Sequence, residues 1–263
     1  MESPDSRLID FDGAKVVYQS SGTGEEALVF IHGWTCDKSL WENQAPLFNK
    51  YRSLLIDLPG HGQSDNPRIE YSQELFARSV EAVLVAEGVQ RAVLIGHSMG
   101  GPVSTMILRL FPAKVIGIIY VDSFFNLPEH YLTDVERKEL AIRHSDDAKF
   151  EALIHVFFSP HTTEAVRKHI LTVMTTTAKH VRCNATTTSC LPHALRYDNV
   201  FQIPALHLVT PMFADIDKHW LHHLPMLQTE IWTGYGHFLF MEDAPRFNDR
   251  VETFLKAHKL LIL

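Results

Sequence analysis

Gly96-His97-Ser98-Met99-Gly100-Gly101 places a serine inside a G-x-S-x-G frame, between an apolar run and a helical pattern. Glycines on both sides allow a cramped strand-to-helix turn, with the serine hydroxyl exposed at its tip near the positive end of the next helix. A serine hydroxyl is a weak nucleophile unless an adjacent base takes its proton. The attacked carbonyl also develops an oxyanion that needs fixed donors. Met99, directly after Ser98, offers one backbone N–H. Trp34, in His32-Gly33-Trp34 after the apolar run 27–31, offers a second. The donors are backbone groups, so the His32 side chain need be no more than a satisfied polar residue in a turn.

The chain has 16 histidines, so a base must be chosen by placement. In Gly234-Tyr235-Gly236-His237-Phe238, a glycine-flanked loop follows the last apolar run late in the chain. An imidazole there can reach a serine at the same sheet edge and titrate near neutrality. His219, His222 and His223 have no carboxylate–imidazole grouping around them and read as a solvated helix face, so no metal is expected. Cys36 sits near the Trp34 loop, but beside Ser98 a nucleophilic role is not expected of it. Cys183 and Cys190 could bridge a short loop, although an intracellular chain keeps such thiols reduced.

The elements that must position these groups follow a repeating pattern. Apolar runs at 16–18, 27–31, 54–56, 92–95, 115–121, 204–209 and 227–232 end in turn residues and read as strands, several buried on both faces. Helical periodicity falls at 72–87, 103–110 and 244–257 between and after them. This alternation predicts a parallel sheet with helical crossovers. Residues 124–200 interrupt it with helical pieces near 131–143, 146–158 and 161–181. The expected organisation is a core formed by 1–123 and 201–263, with 124–200 as a helical cap over the carboxyl edge of the sheet.

Composition limits the function classes. Of 263 residues, 24 are Lys or Arg and 31 Asp or Glu, a net charge of −7 that disfavours nonspecific nucleic-acid binding. Hydrophobic residues make up 46% and charged residues 21%, as in a folded globular chain. The longest apolar run, Val115–Val121, is too short to span a bilayer. Met1 to Asp5 shows no basic-then-apolar signal, and the three cysteines are too few for a disulfide framework. The expectation is a cytoplasmic protein acting on a small-molecule substrate, with no nucleic-acid or membrane partner; oligomeric state is not encoded in any visible motif.

Gly96 to Gly101, His32-Gly33-Trp34, Asp57-Leu58-Pro59-Gly60-His61-Gly62-Gln63-Ser64 and Gly236-His237-Phe238 together resemble the α/β-hydrolase superfamily. The resemblance spans the chain outside 124–200. It implies a mostly parallel eight-stranded sheet flanked by helices, a Ser–acid–His triad of Ser98 and His237 with a carboxylate, an oxyanion hole at Trp34 and Met99, and no cofactor. A serine nucleophile is unlike the branches that use aspartate, the haloalkane dehalogenases and epoxide hydrolases. The family usually places its acid in a G-x-x-D turn after the strand at 203–209. Here Thr210 to Asp217 lacks that glycine, leaving Asp215 as the candidate. Some members place it after the strand following the nucleophile helix, where this chain has Asp122. Asp122 abuts its strand with no slack and is preferred, since a triad acid must hold the imidazole rigidly; Asp215 is the alternative. Gly33, Trp34, Thr35 and Phe124 are candidate substrate-binding residues.

The expected activity is hydrolysis of an ester, thioester or lactone of a small to medium apolar substrate through an acyl-enzyme. Two alternatives stand beside it: a carbon–carbon bond hydrolase of the same superfamily, and a slow-turnover ligand receptor on this scaffold.

Overall fold

In the computed structural model, residues 5–125, 132–189, 199–214 and 219–261 are described. Eight strands form one sheet: β1 (Asp5–Phe11), β2 (Ala14–Ser21), β3 (Glu26–Ile31), β4 (Ser53–Ile56), β5 (Arg91–His97), β6 (Val115–Val121), β7 (Ala205–Val209) and β8 (Leu227–Ile231). The helices are α1 (Ala45–Phe48), α2 (Gln73–Ala86), α3 (Gly100–Leu110), α4 (Asp134–Ser145), α5 (Asp147–Val156), α6 (Glu164–Thr176), α7 (Lys179–Ser189), α8 (Leu239–Glu242) and α9 (Ala244–Ala257).

The strand order is β1-β2-β4-β3-β5-β6-β7-β8. β2 pairs antiparallel with β1 and β4, and every other pairing is parallel. The inner stretches of β3, β5 and β6 are apolar and buried because helices cover both faces of the sheet. On one face α2 and α3 pack against Val29, Ile31, Leu94 and Tyr120. On the other, α9 packs with Trp41 against Phe30, Ile95 and Val121. In α9, Phe247, Val251, Phe254 and Leu255 recur at helical spacing and are buried, each contributing roughly 1.5–3 kcal/mol. The Asp243 carboxylate accepts from Arg246 N–H to start that helix.

Two elements differ from the sequence reading. β1 was not among the expected strands: Ser6-Arg7-Leu8-Ile9-Asp10 is an edge strand with polar and exposed positions, Leu8 included, so no buried run announces it. The piece expected at 161–181 is two helices. Thr177 is extended (φ −60°, ψ 130°) and breaks them apart. The second helix runs on through Thr186-Thr187-Thr188, where Thr186 and Thr187 hydroxyls donate to the carbonyls of Arg182 and Cys183 at 3.0 Å. Such bonds let Thr sit in a helix that its intrinsic propensity disfavours.

The segment between β6 and β7 thus supplies four described helices and no described strand. Thr133 and Glu136 form a reciprocal cap on α4. Asp146 and Thr163 cap α5 and α6. No helix among the described residues is long and apolar enough to cross a membrane.

Candidate active site

The carboxyl ends of β3, β5, β6 and β7 set the site. Register aligns Ile31 with Gly96, His97 with Val121, and Val121 with Leu208. The residues just beyond these positions, Ser98 and Asp122 among them, therefore emerge side by side. Ser98 N–H donates to the Val121 carbonyl at 3.0 Å, and Asp122 N–H to Leu208 at 2.7 Å.

Ser98 has φ +51°, a left-handed conformation that costs a non-glycine residue roughly 1–2 kcal/mol. The turn is held because backbone crosses backbone on both sides of it. A Cβ on Gly96 would collide with the Gly100 carbonyl, and one on Gly100 with the Ile31 carbonyl. The Ser123 hydroxyl and Gly101 N–H both donate to the Ser98 carbonyl. Among the described residues the Ser98 hydroxyl itself has no hydrogen-bond partner. Bonds of this kind are often long without substrate and tighten with it.

Asp122 is fully buried and also left-handed, with φ +41°. Its Oδ1 accepts from Thr210 N–H at 2.6 Å, which fixes the carboxylate to the end of β7. Its Oδ2 lies 2.6 Å from His237 Nδ1. An ionised carboxylate only accepts, so Nδ1 carries the proton and Nε2 keeps its lone pair. The other candidate acid, Asp215, lies outside the described residues, as does Asp217.

His237 is held from several directions. Its N–H donates to the Phe157 carbonyl at 2.9 Å, and its own carbonyl accepts from His97 Nε2 at 2.9 Å. Its ring lies between Phe157 (centroids 4.6 Å apart), His97 (4.5 Å) and Phe213 (5.0 Å). His97 was not singled out in the sequence because it occupies a variable position of the G-x-S-x-G frame. Burial and the neighbouring His237 push its pKa well below the ordinary imidazole value, so it stays neutral with its Nε2 proton on the carbonyl.

The loop after β3 lies against Ser98: a Cβ on Gly33 would meet the Ser98 Cβ at 3.1 Å. Cys36 N–H donates to the Gly33 carbonyl at 3.1 Å, closing a turn that puts Thr35 at φ +57°. Neither the Trp34 nor the Met99 backbone N–H has an acceptor among the described residues. The Trp34 indole donates to the Arg182 carbonyl at 2.9 Å, and its ring packs on His144 and Phe150. The Thr177 hydroxyl donates to the Thr35 carbonyl at 3.0 Å. This loop is thus pinned to the four-helix segment. Thr35 is buried with its hydroxyl on the Trp34 carbonyl, and Phe124 is half-buried beside Gly101.

His32 accepts from Leu58 N–H on Nε2 and donates from Nδ1 to the Gly33 carbonyl. Burial lowers its pKa to about 4. The Asp57–Ser64 loop is likewise architectural. Buried Asp57 takes Lys38 N–H and Nζ at 2.8 and 2.5 Å and Gln63 N–H at 2.9 Å. Burial raises the Cys36 thiol far above its usual range, which suits an inert residue. Cys183 is a free thiol, while Cys190 lies outside the described residues. Among the described residues no cluster of three or more His, Cys, Asp or Glu could hold a metal. His223 instead stacks on Phe125 and bonds the Asn199 carbonyl; the side chain of His219 is not among those described.

A left-handed serine on a strand–helix turn and a carboxylate-bound histidine at one sheet edge define a class, and the comparisons agree with it. The chain belongs to the α/β-hydrolase fold family, whose model matches residues 26–165. The solved structure of an esterase, RhEst1 from Rhodococcus sp. ECU1013, superposes with a TM-score of 0.80 at 26% identity, covering 97% of this chain and 99% of that one. A 2-hydroxy-6-oxononadienedioate/2-hydroxy-6-oxononatrienedioate hydrolase of Burkholderia vietnamiensis is 26% identical over 97% of each chain. A pimeloyl-[acyl-carrier protein] methyl ester esterase of Wigglesworthia glossinidia brevipalpis is 36% identical over 39% of this chain and 38% of its own length. The first curated relatives are matched over only about a third of their length, between 31% and 38%.

Proposed function

We propose that this hydrolase cleaves a carboxylic ester, thioester or lactone of a small to medium apolar molecule through an acyl-enzyme formed on Ser98. The 2.6 Å bond between His237 Nδ1 and Asp122 carries this reading. It sets the imidazole tautomer whose Nε2 can accept the Ser98 proton.

In the proposed cycle Ser98 Oγ attacks the substrate carbonyl while His237 takes its proton. The Trp34 and Met99 N–H groups, which lack an acceptor among the described residues, receive the oxyanion. His237, now cationic and paired with Asp122, protonates the leaving alcohol or thiol. It then removes a proton from water, which attacks the acyl-enzyme and frees Ser98. In this reading the helices from 134 to 189 act as a cap that shapes the acyl pocket, with Gly33, Trp34, Thr35 and Phe124 as its candidate substrate-binding residues. Similarity to an esterase structure along the whole chain supports the ester class.

A second reading rests on the full-length similarity to the Burkholderia hydrolase, whose name gives 2-hydroxy-6-oxononadienedioate and 2-hydroxy-6-oxononatrienedioate as the compounds hydrolysed. Here the same residues would hydrolyse a carbon–carbon bond beside a carbonyl, with the hydroxyl of water ending on the acyl carbon and a proton on the carbon that leaves.

Fluorophosphonate labelling with peptide mapping tests the nucleophile whatever the natural substrate. Ser98 should carry the label, and Ser98→Ala should lose both labelling and turnover of short p-nitrophenyl esters, thioesters and lactones. Undiminished ester turnover by Ser98→Ala would remove Ser98 from the mechanism. Turnover of vinylogous diketones without ester turnover would select the second reading.

A further inference from the structure

One partly buried carboxylate touches both the histidine loop and the four-helix segment. Glu242, at the end of α8, accepts from Gly236 N–H at 2.7 Å and from the Ser159 hydroxyl at 2.9 Å on one oxygen. Its other oxygen accepts from the Thr162 hydroxyl. Ser159 and Thr162 lie on the connector between α5 and α6. That connector also supplies Phe157, whose carbonyl receives His237 N–H and whose ring lies on the imidazole. The connector is itself fastened: Arg167 donates to the Thr162 and Ser159 carbonyls at 2.9 and 3.0 Å, and Ser159 N–H to Thr162 Oγ1 at 2.8 Å.

We propose that Glu242 is a positioning residue that couples the four-helix segment to the base, fixing the His237 backbone so that its ring meets both Asp122 and Ser98. It rests on the reading given under Proposed function. The chemistry of the donor set supports a carboxylate in this place. Three donors converge on it: one N–H, and two hydroxyls whose oxygens already accept, Ser159 Oγ from His161 N–H at 3.0 Å and Thr162 Oγ1 from Ser159 N–H. Each hydroxyl therefore spends its proton on Glu242. A glutamine has only one acceptor oxygen, and its amide would face a donor. Gly236 completes the fit, because a Cβ there would press on the Phe157 carbonyl and on Glu242 Oε1. Movement of the connector is thereby transmitted to the residue beside His237.

The test uses the full chain with Glu242→Ala, Glu242→Gln and the double variant Ser159→Ala/Thr162→Ala, which leaves Glu242 in place. Glu242→Ala should slow both fluorophosphonate labelling and kcat on p-nitrophenyl acetate by roughly 10- to 100-fold, with KM changed by no more than about twofold. Glu242→Gln and the double variant should fall between it and the unmodified chain. Nitrogen-15 NMR of the His237 ring should show the Nδ1–H form giving way to a mixture in the variants. A merely stabilising role would lower Tm and leave these ring signals alone. Folded Glu242→Gln or double variants with unchanged ring signals and labelling rates would overturn the inference, and the double variant decides should the Glu242 substitutions fail to fold. If Ser98 in the unmodified chain takes no label, the acyl-enzyme reading fails, and the ring signals still decide the positional claim.

Discussion

His97 donates its Nε2 proton to the backbone carbonyl of His237, 2.9 Å away, with the two rings 4.5 Å apart. The residue preceding the candidate nucleophile thus helps hold the loop carrying the candidate base, and this hydrogen bond ties the two halves of the site together across 140 residues of chain. Replacing His97 with phenylalanine keeps the aromatic volume and removes that bond. We expect kcat/KM to fall by about tenfold, near 1.4 kcal/mol, with little change in KM. Steady-state kinetics of the folded variant against p-nitrophenyl acetate checks it.

Asp122→Asn should cost on the order of 10⁴ in kcat, because an amide cannot keep His237 in the Nδ1–H form. Asp215→Asn should stay within about twofold if Asp122 is the acid, since a carboxylate uninvolved with the imidazole contributes no tautomer control. Both variants are read on the same ester. The reverse pattern, a crippled Asp215→Asn with an active Asp122→Asn, would transfer the acid role to Asp215.

Acid should destabilise this protein from about pH 6.5 downward through its buried histidines. Burial lowers the pKa of His32 and His207 to about 4 and of His61 to about 3, from an ordinary 6.5. The folded state therefore binds fewer protons than the unfolded chain below pH 6.5. Stability from these groups is complete above that value and falls as pH drops through 6.5 toward 4, each histidine adding a slope of up to about 1.4 kcal/mol per pH unit. Urea unfolding at pH 7, 6 and 5 should show a steep decline. His207→Gln, which removes one titrating group, should flatten it.

The buried Lys38–Asp57 pair should matter more when broken than when present. Asp57→Ala leaves the Lys38 ammonium and the Gln63 N–H without their buried acceptor and should cost roughly 3–5 kcal/mol. Exchanging both partners for apolar residues of similar volume should recover only part of that cost, because the ammonium is gone but the Lys38 and Gln63 N–H groups still lose their acceptor. Chemical denaturation of the single and double variants separates the two.

Gly100→Ala should be severe, because the new Cβ meets the Ile31 carbonyl at a strand end that cannot retreat. Overpacking of this kind costs roughly 1–3 kcal/mol or more. Thermal unfolding reads the loss. Gly13→Ala, at a positive-φ position open to solvent, should cost less, its penalty being backbone conformation alone.

The candidate site residues stood out in the sequence because their constraints are local. A serine on a tight turn needs glycines within two or three positions, and the strands buried on both faces, such as β3 and β6, need unbroken apolar runs; both leave marks in a short window. The break at Thr177 and the edge strand β1 left weaker marks, since one depends on tertiary packing and the other is half solvated. The sequence favoured Asp122 over Asp215 because Asp122 directly abuts its strand, but since each follows a strand, spacing alone left both as candidates. Sheet register decided the Asp122 contact, setting β6 beside β7 so that Thr210 N–H and His237 reach one carboxylate. His97 and Glu242 lay in the sequence without distinguishing context. Their partners are brought to them from 140 and about 80 residues away, and only the folded chain pairs groups at such separations.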